Sequence, residues 1–272
     1  MGIVNVTPDS FYDGGRYFDA AAACARIDEL INEGASIIDI GAESTKPRSD
    51  PVAPEEQIRR ALDAIQHAVN RNVTVSIDTS NPRVADLAAQ LGVSVINDAS
   101  CMRDGDELAR VAASNDMDMI LMHTRGPMTE MHGFSSGSDS DYSDVVADIS
   151  KEWNVKAEAA LRAGLPPSRL LFDPGLGFYK NAKQSMETVA RLAEFASLGH
   201  YIVVGPSRKS FLSTSTATKP SKRLGGTIAV CLACAARGVS VLRVHDVLDV
   251  KQALSVARDV RLTGSLSVEM NS

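Results

Sequence analysis

Eight short apolar runs in this 272-residue sequence end in a side chain able to bind or catalyse. In chain order these ends are Asn5; Asp39, with Glu43 beyond it; Asp78; Asn97 with Asp98; His123; Asp173; Ser207, Arg208, Lys209 and Ser210; and Arg243 with His245. The clearest is 170–178 (LLFDPGLGF), where an apolar run of strand character stops at a carboxylate and a Pro-Gly-x-Gly turn follows. Burying an unpaired charge there would be costly or would shift its pKa. Asp173 is therefore expected at the base of a ligand pocket, with Gly175 and Gly177 free to take positive φ or to let backbone approach something flat. An Asx turn capping the next helix would account for one such aspartate. It does not account for all eight ends.

These residues divide by chemistry. Asp78, Asn97 and Asp173 suit the edge of a flat, amino-rich heterocycle, because a carboxylate accepts paired hydrogen bonds from a ring nitrogen and its exocyclic amine. Arg243, His245 and Asn5 would gather a guanidinium, an imidazole and an amide around an anion such as phosphate. That second set forms only if the last strand meets the first. Lys209 falls between the two sets, and Arg208 beside it could as well form an outward salt bridge. His123 is expected to be a core or supporting histidine, and His67, His132 and His200 surface or loop residues.

Strand-length runs at 3–6, 37–40, 73–77, 93–96, 117–122, 170–172, 201–204 and 239–244 alternate with helical patterns at 19–33, 54 onward, 82–91, 106–113, 144–163, 184–195, 223–237 and 249–260. Asp19 reads as an N-cap, Pro54 as a first-turn proline followed by acids, and Ser80-Asn81-Pro82 as a helix start. Strict β/α alternation predicts a parallel sheet, and eight units is the number that closes a (β/α)8 TIM barrel of about 250 residues. A doubly wound open sheet is the alternative. No linker interrupts the pattern, so 1–272 is expected to be one domain. Three connections, 7–18, 41–53 and 124–143, exceed the usual span of about 2–6 residues. Each follows a strand (the first, second and fifth) and so should be a mobile loop over the catalytic face. The first strand starts almost at Met1, which is expected to leave no material to plug the barrel floor.

Composition narrows the function. With 44% hydrophobic residues, 23% charged residues and a net charge of −6, the chain reads as an ordinary soluble protein with no electrostatic footprint for nucleic acid or an anionic membrane. No apolar stretch approaches the roughly 20 residues that span a bilayer, and no signal-peptide layout opens the chain. Four cysteines in this length suggest reduced thiols and a cytoplasmic home. Cys231 and Cys234 have metal-pair spacing but lie in an apolar helical run without a second ligand pair, so packing is expected.

Eight stretches, in order, carry a resemblance: 1–15 (MGIVNVTPDSFYDGG), 41–47 (GAESTKP), 76–80 (SIDTS), 96–98 (IND), 122–123 (MH), 173–178 (DPGLGF), 207–210 (SRKS) and 243–246 (RVHD). Over essentially the whole chain the sequence resembles the dihydropteroate synthases, within the wider group of pterin-binding barrels. The resemblance implies a transferase of folate biosynthesis and sulfonamide target. It would join 4-aminobenzoate to 6-hydroxymethyl-7,8-dihydropterin diphosphate with magnesium, by a dissociative displacement. Asp78, Asn97, Asp173 and Lys209 would hold the pterin and carry the catalysis. Asn5, Arg243 and His245 would hold the diphosphate, with Asn5 also a magnesium ligand. Phe11, Thr45, Pro47, Phe178, Lys209 and Ser210 would shape the aminobenzoate pocket, and Asp13 and Lys46 would belong to loops that close over it. Relatives pair as homodimers, for which the Ala-rich face of 227–236 is a candidate.

Three positions depart from the family pattern. Lys46 stands where arginine is usual and lacks its bidentate fork; Ala42 replaces a common glycine; Pro206 removes a backbone donor before the SRKS motif. A pterin-dependent methyltransferase would share the barrel and the acids but would not need Ser207–Ser210 together with Arg243 and His245. A non-catalytic pterin-binding homologue would be expected to have lost those anion-site residues, which are present here.

Overall fold

The computed structural model describes residues 1–6, 20–42, 52–127, 130–131, 133–213 and 219–269, with side chains as far as 260. Phe11, Asp13, Asp19, Glu43, Thr45, Lys46, Pro47 and His132 lie outside the described residues. Strands β1 (Gly2–Asn5), β2 (Ile37–Gly41), β3 (Thr74–Asp78), β4 (Val95–Asp98), β5 (Asp118–Met122), β6 (Leu170–Asp173), β7 (Tyr201–Val204) and β8 (Val241–Leu242) follow one another around the sheet in chain order. Between and after them run helices α1 (Ala20–Asn32), α2 (Pro54–Asn70), α3 (Pro82–Gln90), α4 (Glu107–Ser114), α5 (Val145–Arg162), α6 (Ala182–Ala190), α7 (Leu224–Ala235) and α8 (Val247–Glu269). All neighbouring strands pair in parallel. The ring closes where Gly2 bridges Val244, through Ile3 N–H to Val244 O at 3.1 Å and Val244 N–H to Met1 O at 2.9 Å. The expected (β/α)8 barrel is the fold.

Local chemistry sets several boundaries. Asn81 caps α3 by accepting from the N–H groups of Arg83 (2.9 Å) and Val84 (3.3 Å), with Pro82 in the first turn. Asp144 does the same for α5, accepting from Val146 and Ala147. A capping box between Asn181 and Gln184 opens α6 two residues before the sequence pattern suggests. That helix stops at Ala190, and the chain tightens into a 3-10 turn at Leu192–Leu198 instead of continuing as one helix to 195. β8 has only two of the six residues expected: Val239 N–H is taken by Cys234 O at the end of α7, while Ser240, Arg243 and Val244 still donate to Ile202 O, Val204 O and Met1 O. α8 starts earlier and runs further than expected, with no proline to end it.

Outward-facing strand residues pack beneath the helices. Phe172 lies between Trp153 and Phe195 at ring distances of 5.0 and 4.9 Å, and Trp153 Nε1 donates to Leu121 O at 2.8 Å. Inside the barrel floor, Val95, Ile120 and Val203 form a separate cluster with Met1, Leu171 and Val241 against it. Met1 therefore supplies the packing that the short lead-in to β1 suggested would be missing. Cys231 and Cys234 are buried free thiols whose pKa burial pushes up to about 12, in keeping with a packing role. α7 buries Thr227, Val230, Cys231 and Cys234 against its own barrel and leaves Ala229, Ala235 and Ala236 of the Ala-rich face exposed.

Where it is described, the loop after β5 is tied to the barrel at several points. Gln184 donates to Ser138 O, Asn181 to Asp139, and Tyr179 to Pro127 O. Phe134 meets the Phe178 ring edge-on at 5.2 Å. Among the described residues no helix is long and apolar enough to cross a membrane.

Candidate functional site

Interior-facing residues near the C-terminal ends of the strands build the site. On β2, Ile38 and Ile40 point into the helix-side core, and alternation turns Asp39 inward, where it is 0% exposed. Gly41 stands in register between Asn5 of β1 and Asp78 of β3. A Cβ there would meet Asn5 Oδ1 at 3.4 Å and Asp78 Cβ at 3.6 Å, so the glycine keeps room between amide and carboxylate. Asn97 is buried beside Asp78 in the register of β4. Asp173 ends β6, and its Oδ1 accepts from Gly175 N–H at 2.7 Å. Gly175 has φ +66°, and a Cβ would lie 2.1 Å from His123 O, so only glycine can make this turn.

The acidic and basic sets do not form separate halves. Arg243, just past β8, donates from Nε to Asp39 Oδ2 at 2.6 Å and from Nη2 to Asp78 Oδ2 at 2.8 Å. The guanidinium thus reaches across the barrel mouth into the acidic side. A pterin edge and Arg243 would compete for Asp78, a relation that spacing alone does not reveal. Burial opposes Arg243's charge, but Asp39 and Asp78 more than compensate and raise its pKa. Asp39, a strand-end residue given no role from sequence, is the missing partner; its alternation with Ile38 and Ile40 is the signal that points inward.

Lys209 is half-buried overall, with its ammonium turned into the pocket. It donates to Leu176 O at 2.8 Å and lies 4.5 Å from the centre of the Phe178 ring. Burial lowers its pKa to about 8, with Asp173 opposing that shift. Burial in turn raises the pKa of Asp173, with Lys209 and the Gly175 N–H acting against it. Arg208 has a left-handed φ of 56°, fixed by its N–H donating to Thr227 Oγ1 at 3.0 Å and by a paired bond to Asp246. Arg208 is therefore an outward salt bridge, which leaves Lys209 as the cation directed at the pocket. Ser210 Oγ donates to Phe134 O at 2.8 Å, which commits its hydroxyl to the loop after β5.

His245 is a neutral imidazole at pH 7, because burial and then the charge of Arg243 lower its pKa to about 4. Ser207 Oγ accepts from His245 N–H (3.1 Å) and lies 2.9 Å from Nδ1. With the serine proton given to Nδ1, Nε2–H is a donor for an anion. The imidazole can donate a hydrogen bond but contributes no charge.

Behind this rim lies a second buried network. Lys180, 0% exposed, contacts His123 Nδ1 (3.1 Å) and donates to Gly175 O and Phe178 O, both at 3.2 Å. His123 Nε2 meets Glu152 at 2.9 Å, and Glu152 also pairs with Arg125. Burial and the nearby Lys180 lower the His123 pKa to about 4. Bonds from His123 and Arg125 hold the Glu152 carboxyl at about 2. His123 is thus the expected supporting histidine, and Lys180, which sequence reading missed, ties it to the glycine turn.

Among the described residues no cluster of three or more His, Cys, Asp or Glu could hold a metal ion. The amide oxygen of Asn5, near Asp78, is a hard donor suited to magnesium, which takes most of its ligands from water and substrate phosphates. The donor set fits a cation that arrives with a diphosphate.

The sequence model for "Pterin binding enzyme" matches residues 1–245. Dihydropteroate synthase of Synechocystis sp. is 36% identical over 94% of this chain and 88% of that protein. The dihydropteroate synthase of Xanthomonas albilineans with 4-aminobenzoic acid superposes with a TM-score of 0.85 at 36% identity, over 96% of this chain and 92% of that one. The same organism's enzyme in complex with 7,8-dihydropteroate gives 0.82 at 34% identity, again over 96% and 92%.

Proposed function

This chain belongs to the pterin-binding enzyme family, and from that premise we propose that it catalyses the dihydropteroate synthase reaction. It joins 4-aminobenzoate to 6-hydroxymethyl-7,8-dihydropterin diphosphate, giving 7,8-dihydropteroate and diphosphate. The bond from the pterin methylene carbon to the diphosphate oxygen breaks, the amine nitrogen bonds to that carbon, and the amine loses a proton. The observation that carries this reading is the convergence of Asp78, Asn97, Asp173, Lys209 and Arg243 on one closed rim, in a chain similar over nearly its whole length to enzymes solved with the amine and with the product.

In this reading Asp78, Asn97 and Asp173 accept and donate along the pyrimidine edge, and Lys209 donates from the side facing Phe178. Displacement is dissociative. The dihydropterin ring supplies electrons to the developing methylene cation, and the carboxylates around the ring stabilise it electrostatically. Arg243 and the Nε2–H of His245 stabilise the departing diphosphate. Phe178, with the Lys209 stem, forms the described wall of the aminobenzoate pocket and positions the amine, which needs no activation beyond orientation. Ser210 contributes through the loop it anchors. Asn5 would hold magnesium together with the diphosphate, and the ion would neutralise charge on the leaving group. Phe11, Thr45 and Pro47 complete the amine pocket in this reading, with Asp13 and Lys46 on the closing loops. The same reading makes 1–272 one domain, working as a cytoplasmic homodimer; Leu248, Val256 and Val260, exposed on α8, support pairing through that helix.

The test is diphosphate release from the dihydropterin diphosphate with and without 4-aminobenzoate and magnesium. Release that depends on the amine is expected. Release at the same rate without it would contradict the synthase reading.

A further inference from the structure

Asp39 is 0% exposed, and all its hydrogen bonding runs through one oxygen. Oδ2 accepts from Arg243 Nε at 2.6 Å and from Asn97 Nδ2 at 3.2 Å. Oδ1 has no partner among the described residues, nor has Ser76 Oγ, which stands opposite Asp39 in the β2–β3 register. A buried carboxylate is tolerated only when its charge is compensated in good geometry, and here that compensation is the guanidinium. Arg243 has five N–H donors in a rigid fork. Asp39 Oδ2 accepts from Nε and also lies 2.6 Å from Nη2, Asp78 accepts from Nη2 on its other side, and Nη1 makes no hydrogen bond among the described residues.

The two carboxylates holding Arg243 differ in one respect. Asp78 lies in the rim and would be drawn off by a pterin edge, whereas Asp39 sits one step deeper, on the strand between Asn5 and Asp78. Resting on the functional reading above, we propose that Asp39 is a positioning residue. It keeps the Arg243 guanidinium in place when the pterin takes over Asp78, and it orients the Asn97 amide through the same oxygen. Arg243 then presents Nη1, and the Nη2 proton that Asp78 gives up, to the diphosphate at the moment the ring is bound. Pterin-edge recognition and leaving-group binding share a single buried atom.

The experiment is a double-mutant cycle with the isosteric Asp39→Asn and with Arg243→Ala, read in steady-state kinetics and by calorimetry with inorganic pyrophosphate and magnesium. Alone, Asp39→Asn should weaken pyrophosphate binding about 30-fold, the size expected when one partner of a buried charge pair is lost. KM for the dihydropterin diphosphate should rise by a similar factor while KM for 4-aminobenzoate stays within about twofold. In the Arg243→Ala background the same substitution should change pyrophosphate binding by less than about twofold. Equal losses in both backgrounds, or an Asp39→Asn enzyme indistinguishable from wild type, would overturn the proposal. The second measurement needs no variant: the Arg243 Nε–H resonance should stay protected from hydrogen exchange in the free chain and with a pterin bound. Loss of protection on pterin binding would also overturn it. An inactive wild-type chain would contradict the synthase reading instead, so the two failures are distinguishable.

Discussion

The barrel interior has a lower and an upper layer built from the same strands, two residues apart. On β4 the step is from Val95 to Asn97, on β6 from Leu171 to Asp173, and from β8 outward it is from Val241 to Arg243. The lower members pack with Ile120, Val203 and Met1 into a floor without charged side chains. The upper members, with Asp39, Asp78 and Lys209, hold a set of charges whose partners are largely one another. One side-chain period along a strand separates a layer selected for volume from a layer selected for charge. Damage to the lower layer should appear in stability, and damage to the upper layer in binding, pH dependence and stability together.

The largest expected effect is that of Arg243→Ala, which leaves Asp39 buried without its counter-charge. Urea unfolding should show a loss of about 3–5 kcal/mol, the range for breaking a buried pair from one side. Calorimetry should show diphosphate binding weakened far more than binding of free pterin. Equal losses for both ligands would mean that Arg243 serves the rim as a whole and not its anion side.

Next comes the titration of Lys209. Its ammonium loses a proton near pH 8, so kcat/KM for the dihydropterin diphosphate should fall above that pH by about tenfold per unit. Lys209→Arg, however weakened, should lack that decline, since a guanidinium keeps its proton. A decline surviving in this variant would move the assignment to Lys180, whose pKa burial lowers to about 7.

Lys180 gives a third, smaller effect, on stability. Its folded pKa is about 7 against an ordinary 10.5, so between these values the unfolded chain binds more protons than the folded one. Stability should therefore rise with pH across that window, by at most about 1.4 kcal/mol per unit. Lys180→Met should remove this contribution to the slope between pH 7 and 10, and an unchanged slope would show that Lys180 does not titrate there. The smallest effect is in the floor. Ile120→Val should cost about 1 kcal/mol by thermal or urea unfolding and leave both KM values unchanged. A shift in KM would show that the two layers are mechanically coupled.

Much of this was readable from residues alone, for identifiable reasons. β/α alternation, caps such as Asn81 and turns such as that at Gly175 are local, and they fix the strands and hence which residues reach the rim. Closure of the barrel was implied by the count of units. What the sequence did not disclose were pairings across the ring. Asp39 and Arg243 are 204 residues apart and meet only because β8 returns beside β1. Nothing near Arg243 announces that its guanidinium faces two carboxylates. The charge of His245 is not legible in sequence, and burial, with Arg243 beside it, makes it neutral. The 124–143 stretch has a polar, glycine- and serine-bearing composition, yet contacts with Gln184, Asn181 and Ser210 pin the part described, and those partners lie far along the chain.

The most direct test of the central claim is a crystal structure of this chain with a pterin diphosphate and magnesium. The pyrimidine edge is expected against Asp78, Asn97 and Asp173, the diphosphate on the Arg243 and His245 side, and Arg243 Nε still bonded to Asp39. A ligand bound outside the rim, or a guanidinium released from Asp39 with the pterin in place, would contradict it.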